Sequence, residues 1–339
     1  MTRDKVLLDP YGRRMVNIFN AGDLARVHKV ADVYWGRDEA MPPTEVDRFR
    51  EQVDIIVTGY WRYGDVARFP KLRAVLEVSG GFFSPRDFDY DYSFSHGVRV
   101  LSCAPAFAPV VAEMGLGLAL ASIRQIAWTD RAFRGPEPNW SHTSFETEIG
   151  EPFTLYDKTV GFIGFGGLAH ALKPLLAPFR CPIQAYDPWL TDAHLRSQGV
   201  TPVDLETLMA TSRVIFVLAV PSAHNRGLVT RELLSLVKPD AVFVLLSRAH
   251  LVDFDALTEA VLAGRFRAAI DVYPEEPLAR DHAIRGAQAA VLSSHRAGAH
   301  GEALPEIGRL VADDLEALTS GKAPWSMQLA TPEYIRLRG

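Results

Sequence analysis

Short apolar runs alternate with segments whose apolar residues recur at helical spacing along most of the chain. Two segments in the first third predict helices, DLARVHKVA (23–31) and TEVDRFREQ (44–52). Because strands that alternate with helices pair in parallel, the pattern predicts a parallel sheet with helices on its faces. The runs that predict its strands are KVLLD (5–9), DIIVTG (54–59), AVLEVSG (74–80) and VRVLS (98–102).

A second alternating series follows a stretch of different character. Residues 133–158 are rich in proline, glycine and polar residues, which is typical of an extended connection between domains. A long helix with many small residues is predicted before this connection, over 109–126, and a last amphipathic helix over 302–319. Six further runs predict a doubly wound sheet. They are TVGFIG (159–164), PIQAYD (182–187), RVIFVLAV (213–220), AVFVLLS (241–247), AAIDVY (268–273) and AVLSS (290–294).

Composition narrows the class of protein. With 339 residues the chain is too long for one ordinary core, which favours two domains. A net charge of -5 provides no basic face for nucleic acid or for an anionic membrane. Two cysteines argue against a disulfide framework and favour a reducing cytoplasm. The N-terminus lacks an apolar signal core, and no apolar run approaches the ~20 residues of a membrane span, so no membrane association is expected.

A glycine loop between a strand and a helix predicts a nucleotide site. Gly164, Gly166 and Ala169 form a G-x-G-x-x-A pattern that permits a tight turn, close approach of a pyrophosphate and close helix–strand packing. Asp187 ends the next strand, where a carboxylate accepts hydrogen bonds from ribose hydroxyls and repels a 2′-phosphate. The pattern therefore favours NAD over NADP. Two alternatives remain open at this point, a structural tight turn and a methyl-donor site.

Reactive side chains follow three later strands. Arg248, the carboxylates Asp271, Glu275 and Glu276, and His295 each come after an apolar run. Carboxyl ends of parallel strands share one edge of a sheet, so these groups can converge on one crevice. Together these groups suit the reduction of a 2-keto acid. The guanidinium of an arginine can bind a substrate carboxylate, a histidine titrates near neutral pH, and a carboxylate can orient that histidine. Singly, each could be a surface charge.

A metal site is not expected around the histidine segment VLSSHRAGAH. His295 and His300 have no cysteine nearby, and no H-x-x-x-H spacing occurs there. We expect the two histidines to differ in role, with His295 beside the strand end and His300 near the start of the last helix.

Four segments resemble the D-isomer-specific 2-hydroxyacid dehydrogenases. These are VGFIGFGGLAHAL, LLSLVKPDAVFVLLSRAHLVDFDAL, GRFRAAIDVYPEEPL and VLSSHRAG, and the likeness extends over nearly the whole chain. The resemblance implies that Arg248 binds the substrate carboxylate and keto oxygen, and that His295, paired with Glu276, is the acid/base. It implies Asp271 near the nicotinamide carboxamide. Formate dehydrogenases carry Gln at the position of Glu276, which argues against formate as substrate.

The resemblance also implies cofactor and substrate contacts. The substrate contacts would be Gly80, Gly81, Phe107 and Arg248, with no metal. The NAD contacts would be Gly164, Gly166, Gly167, Leu168, Asp187, Ala219, Val220, Pro221, Ser247, Asp271 and Gly298.

The architecture implied by the resemblance is α/β, with two doubly wound parallel-sheet domains. A Rossmann cofactor domain, residues 125–301, would be inserted into a flavodoxin-like substrate domain made of residues 1–124 and 302–339. Residues 127–155 would form a dimerisation arm, so a cytoplasmic homodimer is expected.

Departures from the family's pattern lie on the substrate side. VSGGFF stands where the family has a glycine-rich AGVG turn, Phe107 replaces an asparagine, and Ala249 and His250 replace two small residues. Two hypotheses follow. In the first, the chain is an NAD-dependent enzyme that reduces an unusual, bulky 2-keto acid to a D-2-hydroxy acid or catalyses the reverse reaction. In the second, it is an NAD(H)-sensing corepressor-like protein with weak or no turnover. The retained Arg248, Glu276 and His295 favour the enzyme, because a sensor has no need of an acid/base pair.

Overall fold

The protein is represented by a computed structural model that describes residues 3–136, 140, 146–323 and 325–336. The chain divides into two compact units. Unit 1 comprises residues 1–108 and 300–339, and unit 2 comprises residues 109–299. The sequence boundary near residue 124 would put the long helix with unit 1, whereas its contacts put it with unit 2. Residues 137–139 and 141–145 of the predicted dimer arm lie outside the described residues.

The strands are numbered in chain order. They are β1 (Asp4–Asp9), β2 (Ala31–Trp35), β3 (Ile55–Thr58), β4 (Ala74–Glu77), β5 (Arg99–Ser102), β6 (Val160–Ile163), β7 (Ile183–Tyr186), β8 (Thr201–Pro202), β9 (Val214–Val217), β10 (Val242–Leu245), β11 (Arg267–Ile270), β12 (Ala290–Leu292) and β13 (Gln328–Leu329).

The helices are numbered in the same way. They are α1 (Met15–Ile18), α2 (Ala21–Val30), α3 (Pro43–Phe49), α4 (Tyr90–Ser95), α5 (Ala108–Ile123), α6 (Ile126–Phe133), α7 (Gly167–Leu176), α8 (Asp192–Ser197), α9 (Leu205–Thr211), α10 (Arg231–Ser235), α11 (Phe254–Leu262), α12 (Leu304–Ser320) and α13 (Pro332–Arg336).

Unit 1 contains a sheet of order β13-β5-β4-β3-β1-β2, in which only β13 runs antiparallel to its neighbour. Its five parallel strands have the 2-1-3-4-5 order of flavodoxin-like folds. Apolar clusters cover both faces of the sheet. Helix α12 packs on α1 and α2, and Arg26 of α2 forms ion pairs with Asp313 and Glu316 at 2.6 and 2.8 Å. Helix α12 therefore contributes to the core of this unit.

Unit 2 contains an entirely parallel sheet of order β12-β11-β10-β9-β6-β7-β8. Counted within the unit this is 7-6-5-4-1-2-3, the Rossmann order with one added strand. Strands β6, β9 and β10 are fully buried, which explains why they carry no polar side chain rather than alternating. Strand β11 is also fully buried but begins with one charged residue, Arg267. The expected fold class is confirmed.

Several features of the fold differ from the sequence expectations, among them the two-residue strands β8 and β13, which were not predicted. Strand β2 was not predicted, because ADVYW follows α2 without a turn signal and only Ala31 of the strand is buried.

The expectation about membrane-spanning length was also wrong. Residues Ala104–Ile123 form 20 helical residues with a mean hydropathy of 1.7, enough by length and composition to cross a membrane. This is weak evidence for a span, because buried core helices pass the same test, and α5 buries Val111, Leu118 and Ile123.

Candidate active site

His295 and Glu276 form a hydrogen-bonded pair in unit 2. His295 lies just past β12, and its Nδ1 is 2.5 Å from Oε2 of Glu276, in the loop after β11. Both side chains remain partly exposed, at 40% and 35%. Because the Nδ1 atom is engaged by the carboxylate, Nε2 is the ring nitrogen left for a ligand. The pair predicted from the sequence is thus brought together.

The environment of Glu276 keeps its carboxylate ionised. Burial alone would raise the pKa of this carboxyl, but the hydrogen bond from His295 and the one from the backbone N–H of Tyr273 outweigh it. Nearby positive charge on His295 and Arg248 acts in the same direction, so the pKa of Glu276 lies below its ordinary value. An ionised Glu276 can orient the imidazole and stabilise its protonated form.

The backbone of His295 is held in an uncommon conformation by Asp271. His295 has φ +52°, in the left-handed region that non-glycine residues rarely adopt. The carboxylate of Asp271, fully buried, accepts hydrogen bonds from the backbone N–H of Arg296 at 2.9 Å and of Ala297 at 3.0 Å. The backbone carbonyl of Asp271 also accepts from His295 N at 2.8 Å. These three bonds fix the loop that carries the histidine.

Arg248 follows β10 and is exposed. Its Nη1 donates to the carbonyl of the preceding Ser247 at 2.7 Å. Its charge acts on Glu276 without a direct hydrogen bond between the two side chains. The structure therefore places Arg248 in the neighbourhood of the histidine pair but does not join it to the pair.

A cleft of about 580 Å³ in unit 2 opens beside His295 and Glu276. Its remaining walls include Met114 and Leu118 of α5 and Leu292 of β12. A volume of this size falls within the range of small-molecule sites, and the walls are mainly apolar.

The glycine loop between β6 and α7 has the geometry that its motif predicts. Gly164 has φ +92°, and a Cβ at this position would lie 2.5 Å from Cα of Ala219, so only glycine fits. A Cβ on Gly166 or Gly167 would meet nothing within 4 Å, which leaves open space over the start of α7. The first N–H groups of a helix lack partners within it and favour an anion there.

Asp187 connects this loop to β7. Its Oδ2 accepts from the backbone N–H of Phe165 at 2.8 Å, and its Oδ1 accepts from Trp189 N at 2.9 Å. Each carboxylate oxygen keeps a lone pair that can accept a further hydrogen bond, as from a ribose hydroxyl. The Oγ of Ser247 is buried and makes no hydrogen bond to the residues that the structure describes. An orphaned hydroxyl and an uncovered glycine cradle at one sheet edge fit a dinucleotide.

The other expected cofactor residues lie in the first turn of α7 or in loops at the same edge. Leu168 belongs to the first turn of α7, and Gly298 lies in the loop beyond β12. Residues 219–221 follow β9, where the side chain of Asn225 donates to the carbonyl of Val220 at 2.8 Å. Within the described ranges, no group of three His, Cys, Asp or Glu side chains could hold a metal ion.

In unit 1 the structure brings Gly80, Gly81 and Phe107 together but gives the turn a different use. Gly80 has φ +118°, and a Cβ there would lie 2.9 Å from the Phe107 ring. The N–H groups of Gly80 and Gly81 donate to Oε2 of Glu77, at 3.2 and 3.0 Å. Ser79 donates to Oε1 through both its N–H, at 2.5 Å, and its hydroxyl.

The sequence reasoning missed Glu77 and Arg13, which both adjoin this turn. A signal for Glu77 was present, because it is the one charged residue in the otherwise apolar run AVLEV. Arg13 follows β1, donates to the carbonyls of Val78 and Ser79, and lies over the ring of Phe107, 5.6 Å from its centroid. Nothing in the local pattern distinguishes Arg13 from its exposed neighbour Arg14.

Comparison with known proteins places this geometry in a family. Residues 116–297 match the family model described as D-isomer specific 2-hydroxyacid dehydrogenase, NAD binding domain. Among solved structures, the chain resembles the crystal structure of a phosphoglycerate oxidoreductase from Rhizobium etli, with 33% sequence identity and a TM-score of 0.82. The match covers 97% of this chain and 99% of that protein chain.

Two sequence relatives carry different names. A D-3-phosphoglycerate dehydrogenase from Mycobacterium bovis is 31% identical over 259 residues, 76% of this chain and 47% of that protein. A glyoxylate reductase from Thermococcus litoralis is 27% identical over 304 residues, 88% of this chain and 90% of that protein. The chain spans about half the length of the phosphoglycerate dehydrogenases it matches. From its family-model match and its full-length structural likeness, the chain belongs to the D-isomer specific 2-hydroxyacid dehydrogenase family, with an NAD-binding domain.

Proposed function

We propose that the protein reduces a 2-keto acid to a D-2-hydroxy acid with NADH, or runs the reverse reaction. The observation that carries this proposal is the hydrogen-bonded pair of His295 and Glu276 at the carboxyl edge of a Rossmann sheet. Family membership supports the same chemistry.

The chain's own residues have distinct tasks in this reaction. His295 donates a proton from Nε2 to the keto oxygen, and Glu276 stabilises the charged imidazole before transfer. Arg248 turns from the carbonyl of Ser247 to bind the substrate carboxylate and polarise the keto group. Asp271 holds the loop on which His295 is carried. In the reverse direction His295 accepts the proton.

The cofactor is held by the glycine loop and the strand-end residues around it. The first turn of α7 binds the pyrophosphate, Asp187 the adenosine ribose, and the buried hydroxyl of Ser247 the nicotinamide end. When bound, NADH supplies the hydride. Asp187 favours NAD over a cofactor with a 2′-phosphate, because two negative groups would meet there.

The substrate is a small 2-keto acid, and its side chain lies in the cleft beside His295. Apolar walls from Met114, Leu118 and Leu292 support a side chain larger than a hydrogen atom. We further propose a cytoplasmic homodimer in which residues 127–155 contribute to the interface. Exposed apolar side chains at Ile126 and Phe133, 56% and 58% exposed, support an interface at α6.

A panel of 2-keto acids, including glyoxylate and phenylpyruvate, tests the proposal by following NADH oxidation. We expect at least one good substrate, and His295→Ala should lower kcat by about a thousandfold or more while NADH binds with unchanged Kd. His300→Ala serves as the matched control, because His300 only caps the turn before α12 and should leave kcat unchanged. No turnover on any member of the panel, with NADH still bound, would favour the NAD(H)-sensing alternative.

A further inference from the structure

The cleft of about 580 Å³ in unit 2 combines an apolar surface with positive charge. Met114 and Leu118 contribute to the apolar surface, whereas Arg285 and Arg296 also line the cleft. The described residues that line it all belong to unit 2. Such a composition suits a ligand with a short carbon chain and a negatively charged group.

Arg285 has a fixed guanidinium with donor capacity to spare. Its Nε donates to the carbonyl of Ala279 and its Nη2 to the carbonyl of Leu278, both at 2.7 Å. These two bonds hold one edge of the guanidinium plane. Its Nη1 donates no hydrogen bond to any residue that the structure describes. A guanidinium held by one edge can bind an oxygen of a ligand with its other edge.

Arg296 follows His295 directly and is fixed through its backbone. Its N–H donates to the carboxylate of Asp271 at 2.9 Å. Its side chain is exposed and forms neither a hydrogen bond nor an ion pair with the residues that the structure describes. The same carboxylate therefore holds the loop that carries His295 and the base of a side chain whose charge is free to bind a ligand.

The positive charge of the cleft is not compensated by the described residues around it. Glu276 is the one carboxylate among those that line the cleft, and its two oxygens are engaged by His295 and by the N–H of Tyr273. Neither arginine has a carboxylate within ion-pair distance in the described ranges. The hydroxyls of Ser293 and Ser294 also line the cleft and donate to none of the described residues. Two cations and two hydroxyls are thus available to an anion.

We infer that the substrate carries a second anionic group, a carboxylate or a phosphate, which Arg296 and Arg285 bind in this cleft. The inference rests on the proposed function, in which Arg248 binds the carboxylate beside the keto group and the cleft holds the side chain of the substrate. The two arginines of the cleft therefore bind a different group of the substrate from the one that Arg248 binds. The methylene groups between the two anionic groups contact the apolar walls.

Two pairs of keto acids, each differing only in the second anionic group, test the inference. 2-Oxoglutarate and 2-oxopentanoate differ in a terminal carboxylate, and phosphonooxypyruvate and hydroxypyruvate differ in a phosphate. The wild type should favour the charged member of at least one pair by about 10- to 100-fold in kcat/KM, because charge-assisted hydrogen bonds are made only to that member. The pair that shows the preference identifies the anion. An enzyme that reduces both members of each pair equally well would overturn the inference.

Substitution of the two arginines tests their assignment. Arg296→Gln should lower the preference for the charged member about tenfold or more, and Arg285→Gln should lower it in the same direction. A general disturbance of the His295 loop would lower kcat/KM for both members of a pair and leave their ratio unchanged. Arg280→Gln is the matched control, because it removes the same charge from an exposed residue outside the lining of the cleft. A wild-type ratio in Arg296→Gln and in Arg285→Gln would overturn the assignment, and if one variant does not fold, the other decides.

Binding without turnover separates this inference from the proposed function. The D-2-hydroxy acids that correspond to the two pairs cannot react in the presence of NADH alone, so calorimetry measures their Kd in the NADH complex. If the protein reduces no keto acid, a charged hydroxy acid that binds at least about tenfold tighter than its uncharged partner, through Arg296, leaves this inference standing and the proposed function wrong. If keto acids are reduced but the charged and uncharged members of both pairs bind equally, the inference is wrong and the proposed function stands.

Discussion

Both units place a glycine turn at the carboxyl end of a parallel strand, yet the two turns are used differently. The loop at Gly164 and Gly166 leaves the first N–H groups of α7 uncovered, with no atom within 4 Å of a Cβ on Gly166. The turn at Gly80 and Gly81 directs its N–H groups to Glu77. One turn is open to an external anion, and the other is closed by an internal one.

The difference shows that a glycine pattern describes a backbone shape and not a ligand. Each turn has a nearby carboxylate, but Asp187 accepts from a single loop residue, Phe165, and leaves the helix N-terminus open. Glu77 lies two residues before its turn and accepts from all three consecutive N–H groups. The position of the carboxylate decides whether a concavity of N–H groups remains a binding site.

The largest expected effect comes from spoiling the open turn. In Gly164→Val, a Cβ forced 2.5 Å from Cα of Ala219 at φ +92° must move the loop, so NADH affinity should fall by at least about 100-fold. Fluorescence titration with NADH measures the change. Gly199→Val is the control, because Gly199 also has positive φ, +69°, but open space around its Cβ position. Equal losses of affinity in both variants would contradict a role specific to the cofactor loop.

A smaller effect is expected from emptying the closed turn. Glu77→Ala leaves three partly buried N–H groups without their acceptor and should lower the free energy of unfolding by about 2 kcal/mol. Acetate or formate should then raise the Tm of this variant and not that of the wild type, because the vacated concavity can bind a small carboxylate. Thermal denaturation in acetate and in chloride at equal ionic strength measures both. If acetate leaves the Tm of Glu77→Ala unchanged, the turn at Gly80 and Gly81 does not bind anions.

The smallest effect is expected from exchanging one oxygen in each of two buried or half-buried carboxylates. Asp271→Asn replaces an acceptor for the N–H groups of Arg296 and Ala297, which should loosen the His295 loop and lower kcat by roughly tenfold. Asp187→Asn makes the same chemical change beside Phe165 and Trp189, and should raise the KM for NADH with little change in kcat. Steady-state kinetics measures kcat and the KM for NADH of both variants. If the two variants show the same changes in kcat and in this KM, the two roles assigned here are wrong.

Much of the fold follows from sequence because six of the seven strands in the sheet of unit 2 lie in short apolar runs bounded by turn residues. The exception is β8, which consists only of Thr201–Pro202 and was not predicted. The same runs predict the edge where Arg248, Glu276 and His295 lie, since parallel strands end together. Strand β2 was not predicted because it is mostly exposed at a sheet edge and lacks an apolar run.

The candidate substrate side was harder to predict for a physical reason. Whether Gly80 and Gly81 face a ligand depends on the rotamer of Glu77 and on the place of Arg13, 64 residues earlier in sequence than Glu77. Such contacts arise only when β1 and β4 are brought to the same sheet. The strained backbone of His295, at φ +52°, likewise depends on Asp271 of another strand loop.

The division of unit 1 into residues 1–108 and 300–339 has a consequence for synthesis on the ribosome. Helix α12, whose carboxylates pair with Arg26, is translated only after all of unit 2. Unit 2 is continuous in sequence and can fold while the first 108 residues are still without the helix that covers α1 and α2. During that interval Ile18 and Val27 lack the apolar partners Ile307 and Val311, so nascent chains expose a surface suited to chaperone binding.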